Sequence, residues 1–271
     1  MNPRIANARM YAVTPAVEAL WQQLLAQVAQ EAGVALQYVP YPAPQPLETL
    51  WARPDLGAVF MCGFPIALGL APVQPIAAPV PRMAWAGGRP VYRSDLIVRE
   101  GAPFRSLADT FGHRAGWTVS HSHSGFNAFR HHLLAHRTPA RPALYASMAR
   151  ELITARRVLD EVRAGTIDVG PLDAYWHALL ARHAPELVSG IRVLESTACA
   201  PMPAFVAAAD IPAADLERLR AAFLAARGRP WFAPLGEALL IDGFAAVSAA
   251  DYAVLLEWDR EARDAGYAEP A

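Results

Sequence analysis

The chain has 271 residues, 54% hydrophobic and 18% charged, which excludes disorder and is enough for one large domain or two lobes. Its formal net charge is -1 and its arginines are scattered, so nucleic acid is excluded as the partner. All 24 basic residues are arginine, which removes a P-loop lysine, a Schiff-base lysine and a Ser-Lys dyad from the available chemistry.

Residues 10–13 are short and apolar. Thr14 and Pro15 then form an N-cap followed by proline at the first helical position. Val17, Leu20, Trp21, Leu24, Leu25 and Val28 recur at helical spacing until Gly33 supplies a left-handed C-cap. A strand over 34–39, a proline-rich loop over 40–46, a short helix over 47–51 and a buried strand over 57–61 complete a β-α-β-α-β order. Cys62, Gly63, Phe64 and Pro65 end that strand, and a helix is expected over 66–70. Ligands of open α/β sheets bind beyond the C-terminal ends of strands, so this turn is a candidate ligand wall. A tight apolar turn accounts for the same residues equally well. Residues 73–85 read as mixed strand and loop.

Val91 and the run 96–98 suit a strand, Ser106 opens a short helix that Gly112 ends, and residues 115–119 form the next strand. The polar window 120–127 follows, and a helix over 126–136 begins beside it. Open N–H groups and the positive end of the helix dipole make such a junction a seat for a small anion, with the hydroxyls of Ser122 and Ser124 as further donors. The same serines also suit N-capping. A long helix is expected within 147–164, stopped by Gly165, then a strand over 167–172 and a helix over 175–182 capped by Asp173. A strand over 191–194, a loop over 195–203 and a strand over 204–207 lead into helices over 212–227, 235–240 and 249–265. This order predicts two α/β lobes joined by two crossover strands, lobe 1 being residues 1–90 plus 203–271 and lobe 2 residues 91–202. The C-terminal helices are expected on the first lobe, and the cleft between lobes is the expected ligand site.

All eight histidines lie between His113 and His183. His132 and His136, spaced i, i+4 on one predicted helix, are a usable ligand pair. Residue 132 lies about 12 Å along that helix from residue 124, at about 1.5 Å per residue, so His121 and His123 are poorly placed to join them. Surface histidines on a polar face account for this spacing, and no metal is expected. His123, beside the helix N-terminus, is expected to be neutral and to act as a hydrogen-bond donor or acceptor. No GxSxG elbow and no nucleophile–base set is visible, so no catalytic residue is assigned. Asp173 reads first as a cap, and otherwise as an acceptor for a protonated ligand oxygen or a group orienting Tyr92. Cys62 and Cys199 are too few for a disulfide scaffold and lack metal-site spacing; whether they pair is open. Residues 1–10 carry no export signal, and the uncharged run 56–81 is interrupted by Pro65, Pro72, Pro75 and Pro79, so a soluble protein without membrane insertion is expected.

Together the residues resemble a known family. Val91-Tyr92-Arg93-Ser94, Ser106-Leu107-Ala108-Asp109 and Ser122-His123-Ser124-Gly125 look like the substrate-binding proteins of phosphonate, phosphite and phosphate ABC transporters. Ala164 through Asp173, the Pro201-Met202-Pro203 loop, Gly243-Phe244 and Asp251-Tyr252 agree with that order. The resemblance implies a type II periplasmic-binding-protein fold, whose Ser-Thr-Ser-type loop falls here on Ser122, His123 and Ser124, with His123 in the threonine position. It also implies Tyr92 and Asp173 as ligand residues, while a histidine common in the family is Ala155 here, beside Arg156.

The expected function is capture of a small phosphorus oxyanion or organic phosphonate or phosphate for an ABC uptake system, without cofactor or catalysis. Its ligand residues are expected to be Tyr92, Ser122, His123, Ser124, Gly125, Asp173, Cys62 and Gly63, and its partners ABC-transporter membrane subunits. The resemblance implies a periplasmic location, and the missing export signal a cytoplasmic one. The alternatives are a cytosolic enzyme on the same fold, with His123 as acid or base, and a ligand-sensing module.

Overall fold

The computed structural model describes residues 3–271. Short-range chemistry sets the helix ends. Thr14 Oγ1 accepts from the Val17 N–H at 3.2 Å, Pro15 opens the helix Pro15–Ala32, and Gly33 closes it at φ 60°. Its buried residues include Val17, Trp21, Leu24, Leu25 and Val28, the face that the 3.6-residue period selects. Thr154, accepting from the Arg157 N–H at 3.1 Å, and Gly165, at φ 72°, bound the helix Ala155–Ala164 in the same way.

Among the described residues the strands are, in chain order, β1 (Arg4–Asn7), β2 (Leu36–Tyr38), β3 (Leu56–Met61), β4 (Val73–Pro81), β5 (Val91–Tyr92), β6 (Ser94–Arg99), β7 (Arg114–Gly116), β8 (Ser147–Ala149), β9 (Val169–Asp173), β10 (Ile191–Ser196), β11 (Ala200–Pro201), β12 (Ala204–Ala208) and β13 (Ile241–Ala246). The chain divides into two compact units. Unit 1 runs to Tyr92 and resumes over Pro201–Ala253, and unit 2 comprises Arg93–Ala200 and Val254–Ala271.

Unit 1 holds a six-stranded sheet in the order β13-β4-β12-β3-β1-β2. β1 runs parallel to β2 and β3, while β12 is antiparallel to β3 and β4. β3 is buried along its whole length, and a Cβ on Gly57 would lie 2.4 Å from Leu36 and 2.7 Å from Arg4, so only glycine fits between those neighbours. Phe60 stacks on Phe205 at 3.8 Å and meets the edge of Trp21 at 5.1 Å; such pairs add about 0.5–1.5 kcal/mol each beyond area burial.

Unit 2 holds a five-stranded sheet in the order β10-β6-β9-β7-β8. β6 is antiparallel to both β9 and β10, and β7 is parallel to β8 and β9. Leu96, Val98, Phe129, Leu133, Tyr145 and Val169 belong to its core, which also includes Tyr267 from the end of the chain.

Several local expectations differ from the structure, beginning with the first strand, which is β1 (Arg4–Asn7) instead of the apolar run 10–13. The helix after β3 begins at Gly63 and runs Gly63–Ala67, because Pro65 falls in its first turn, where no N–H is needed. Residues 73–81 form one strand despite three prolines; the ladder shifts register beside Pro75 and again between Pro79 and Pro81, where a missing N–H does least harm. Ser147–Ala149 is a strand on β7, separated from the helix Ala155–Ala164 by Glu151 and Ile153 at φ 56° and 67°. β13 lies where the sequence pattern has only a gap between helices, since Gly243, at φ 144°, breaks its alternation.

The segment Val254–Ala271 belongs with unit 2, whereas residues 203–271 were all expected on the first lobe. Buried polar contacts within unit 2 explain this. The Arg130 guanidinium, fully enclosed, donates to Asn127 Oδ1 at 2.8 Å, to Ala268 O at 2.7 Å and to the Asp259 carboxylate. Asn127 Nδ2 donates to Leu255 O at 2.9 Å, and the Leu144 N–H donates to Ala271 O at 2.6 Å.

Candidate functional site

In unit 2 the candidate residues gather at one end of the sheet. β7 and β9 are parallel, so the loop after Gly116 and Asp173, the last residue of β9, lie at the C-terminal ends of strands. Antiparallel β6 begins at that end, with Ser94 opposite Asp173. The helix after the loop starts as one π-turn, His123–Asn127, continues as the α-helix Ala128–Leu133 and tightens over Leu134–His136.

Ser122 is the N-cap. Its Oγ accepts from the Gly125 N–H at 3.0 Å, and its carbonyl accepts from the Asn127 N–H at 3.0 Å, the i to i+5 bond that makes the first turn wide. Ser124 keeps a half-buried side chain while its carbonyl accepts from Ser94 Oγ at 2.8 Å. Ser94 is held in turn by Thr197, whose Oγ1 accepts from the Ser94 N–H at 3.0 Å and whose N–H donates to Ser94 O at 2.9 Å. Gly125 packs so closely on Thr118 that a Cβ there would lie 2.0 Å from Thr118 Oγ1. The Thr118 hydroxyl and the Trp117 indole N–H are both buried and have no hydrogen-bond partner among the described residues.

His123 contributes to this loop with its main chain, because its ring is buried within unit 2. Its Nδ1 lies 3.4 Å from Asn127 Nδ2 and its ring 5.3 Å from that of Trp258. Burial, helped by the nearby His131, pushes its pKa down to about 3, so the imidazole is neutral. The expectation of a neutral ring named the helix dipole as its cause; desolvation is the larger one. Asp173 caps the helix Ala174–His183, accepting from the Tyr175 and Trp176 N–H groups at 2.9 and 3.0 Å. Burial first, and then the Asp173 charge, raise the Tyr175 pKa well above its ordinary value.

In unit 1, Cys62, Gly63 and Tyr92 come together at the C-terminal end of β3. Cys62 is the residue before the helix Gly63–Ala67, and its Sγ lies 3.8 Å from the hydroxyl of the buried Tyr92. Cys62 and Cys199 are both thiols. Met202, in the Pro201-Met202-Pro203 loop, donates its N–H to Pro90 O at 2.8 Å and accepts from the Tyr252 hydroxyl at 2.9 Å.

Sequence reasoning did not single out Ser94 and Thr197 as parts of the unit 2 group. Ser94 was visible only inside a motif, and Thr197 lies 103 residues away from it. Nor did sequence reasoning bring Glu195 to the pair His132 and His136 as a third metal-ligating candidate, the three ligand atoms lying within 4.8 Å of one another.

Residues 12–252 match the family model described as ABC transporter, phosphonate, periplasmic substrate-binding protein. A binding-protein component of an ABC phosphonate transporter from Pseudomonas aeruginosa is similar in structure at TM-score 0.80 and 15% identity, over 98% of this chain and 88% of that one. PhnD1 from Prochlorococcus marinus, in complex with methylphosphonate, is similar at TM-score 0.76 and 14% identity, over 97% and 99%. XAC2383 from Xanthomonas citri, bound to chloride ion, is similar at TM-score 0.65 and 20% identity, over 97% of each chain. These likenesses show a type II periplasmic-binding-protein fold. No curated protein matches the sequence.

Proposed function

We propose that the protein takes a small phosphorus oxyanion, phosphonate or phosphate, from the premise that the chain belongs to the periplasmic substrate-binding proteins of phosphonate ABC transporters, the family whose model it matches over residues 12–252. As a member it is a solute-binding protein. The observation that carries the ligand class is the wide helix start at Ser122–Gly125, beyond the C-terminal end of a strand. A helix N-terminus favours negative charge at its main-chain N–H groups. Beside it the Ser124 hydroxyl is half-buried, and the Trp117 and Thr118 donors are buried without protein partners; leaving such a donor unmade costs about 1–3 kcal/mol, which an oxyanion in reach would offset.

The assignment for unit 2 is Ser122, Ser124 and Gly125 with the main chain of His123, supported by Ser94 and Thr197, and with Asp173 at the same sheet end. For unit 1 the ligand-contacting residues in this reading are Tyr92, Cys62 and Gly63, tested separately by Tyr92→Phe. A methylphosphonate-bound relative by structure supports the phosphonate class. The location follows the family, periplasmic, with ABC-transporter membrane subunits as partners; among the described residues no helix is long and apolar enough to cross a membrane. Binding without turnover is the reading we favour over the enzyme alternative, because the acid–base group of that alternative, the His123 ring, is enclosed in the unit and its pKa of about 3 makes it a weak base.

Titration calorimetry with phosphate, phosphite, methylphosphonate and aminoethylphosphonate tests the proposal. One of them is expected to bind with 1:1 stoichiometry. Absence of binding by all four at about millimolar concentration overturns it.

A further inference from the structure

We propose that His132, His136 and Glu195 form a binding site for one first-row divalent cation of the Zn2+ class, separate from the anion-binding end of unit 2. Two imidazoles and one carboxylate are a borderline-soft donor set that suits Zn2+ and leaves a coordination position for water. His132 and His136 lie on one face of the last turns of the helical run, where the negative end of the dipole favours a cation. Their rings are 6.2 Å apart at 50°, and the His136 ring is braced edge-on by Phe111 at 5.2 Å.

Glu195 is brought to them by an irregularity in β10. Val193 pairs with Ile97 but Glu195 pairs with Leu96, so Leu194 is an extra residue in the strand. Directly opposed residues in an antiparallel pair share a face of the sheet. Without the bulge, Glu195 would share the face of Val193 and Ile97. With it, Glu195 takes the face of Leu96, whose core cluster includes Phe129 and Leu133 of the helix that carries both histidines. Ser196 then faces Asp95, as its 2.8 Å hydrogen bond to that carboxylate shows.

The geometry needs little adjustment. His132 Nε2 is 2.6 Å from Glu195 Oε1, and all three ligand atoms lie within 4.8 Å of one another. Bonds of about 2.1 Å in a tetrahedral site set donors about 3.4 Å apart, between those two values. All three residues are half-buried, so an ion has a way in. Bound there, it ties the end of the helix that begins at Ser122 to β10, the strand that runs on toward Thr197.

Untagged, chelator-treated protein titrated with Zn2+, followed by calorimetry and by the rise in melting temperature, tests this. Wild type is expected to take one equivalent and to melt higher with the metal. His136→Ala and Glu195→Gln, each checked for unchanged circular dichroism, are expected to weaken that binding about tenfold or more, as losing a ligand should exceed the about 10- to 100-fold effect of outer-shell partners at its lower end. His131→Ala, whose ring bonds Glu261 instead, is expected to bind like wild type. Absence of stoichiometric Zn2+ binding, or equal affinity in wild type and both site variants, overturns the proposal.

Discussion

The sharpest consequence of the structure for stability is a pH dependence carried by His123. Its ring is 1% exposed, and desolvation, with the positive charge available to His131, holds its pKa near about 3 against an ordinary 6.5. Asn127 Nδ2 approaches Nδ1 at 3.4 Å, Trp258 lies against the ring, and His131 stacks on Trp258 at 4.7 Å. A histidine with a depressed folded-state pKa binds fewer protons folded than unfolded, so its contribution is full above about pH 6.5 and is lost as pH falls toward about 3. Each pH unit in that window is worth up to about 1.4 kcal/mol, so between about pH 7 and pH 5 the native state loses about 2 kcal/mol. Against a total stability of about 5–15 kcal/mol this is readily measured. Urea unfolding at the two pH values is the assay, with His123→Gln as the comparison, since the amide is polar but does not titrate. The variant is expected to lose about 2 kcal/mol less than wild type over that interval. Equal losses in the two proteins, or an imidazole resonance of His123 titrating near its ordinary value, would refute the reasoning.

Other substitutions probe the loop and the C-terminal segment. Ser124→Ala is expected to weaken the anion by about ten- to a hundredfold, the worth of a hydrogen bond to a charged group, with folding stability unchanged; unaltered calorimetric affinity removes that hydroxyl from the site. Ser122→Ala takes the cap from the Gly125 N–H and is expected to cost about 1 kcal/mol of stability in chemical unfolding. Gly125→Ala drives a methyl group against Thr118 Oγ1 and Cγ2, at 2.0 and 2.8 Å, an overpacking expected to cost about 1–3 kcal/mol, part of which Thr118→Ala restores in the double variant. Arg130→Met removes a fully buried cation from Asp259, Asn127 and Ala268 O. Although burial alone would raise the Asp259 pKa, hydrogen bonds from Arg130 and Arg263 hold it below the usual carboxylate range. Breaking that pair is expected to cost about 3–5 kcal/mol and to expose residues 254–271 to limited proteolysis; a loss under about 1 kcal/mol would show that the segment is held by its apolar contacts alone.

What local chemistry can state, the amino-acid order states well. The helix Pro15–Ala32 is legible from Thr14, Pro15, Gly33 and a 3.6-residue apolar period, and Asp173 is legible as a cap because the N–H groups it accepts from lie two and three residues on. The strand–loop–helix junction at Ser122 is legible for the same reason, and so is the motif order that places the chain in its family. Prolines in β4 and the glycine in β13 obscured two strands, since their cost is absorbed by register shifts that only pairing with a neighbour reveals.

Tertiary structure decided the rest. The sequence by itself determined most of the helices, several of the strands and the anion-favouring end of one helix, all of which depend on residues within a few positions of each other. It did not determine that the His123 ring turns into the unit, that Thr197 supports Ser94, that Val254–Ala271 packs on unit 2, or that a bulge at Leu194 brings Glu195 to His132. Those contacts join residues from 63 to 138 positions apart, and no periodicity records them, because which distant side chain supplies a partner or removes water is settled only when the sheets have closed.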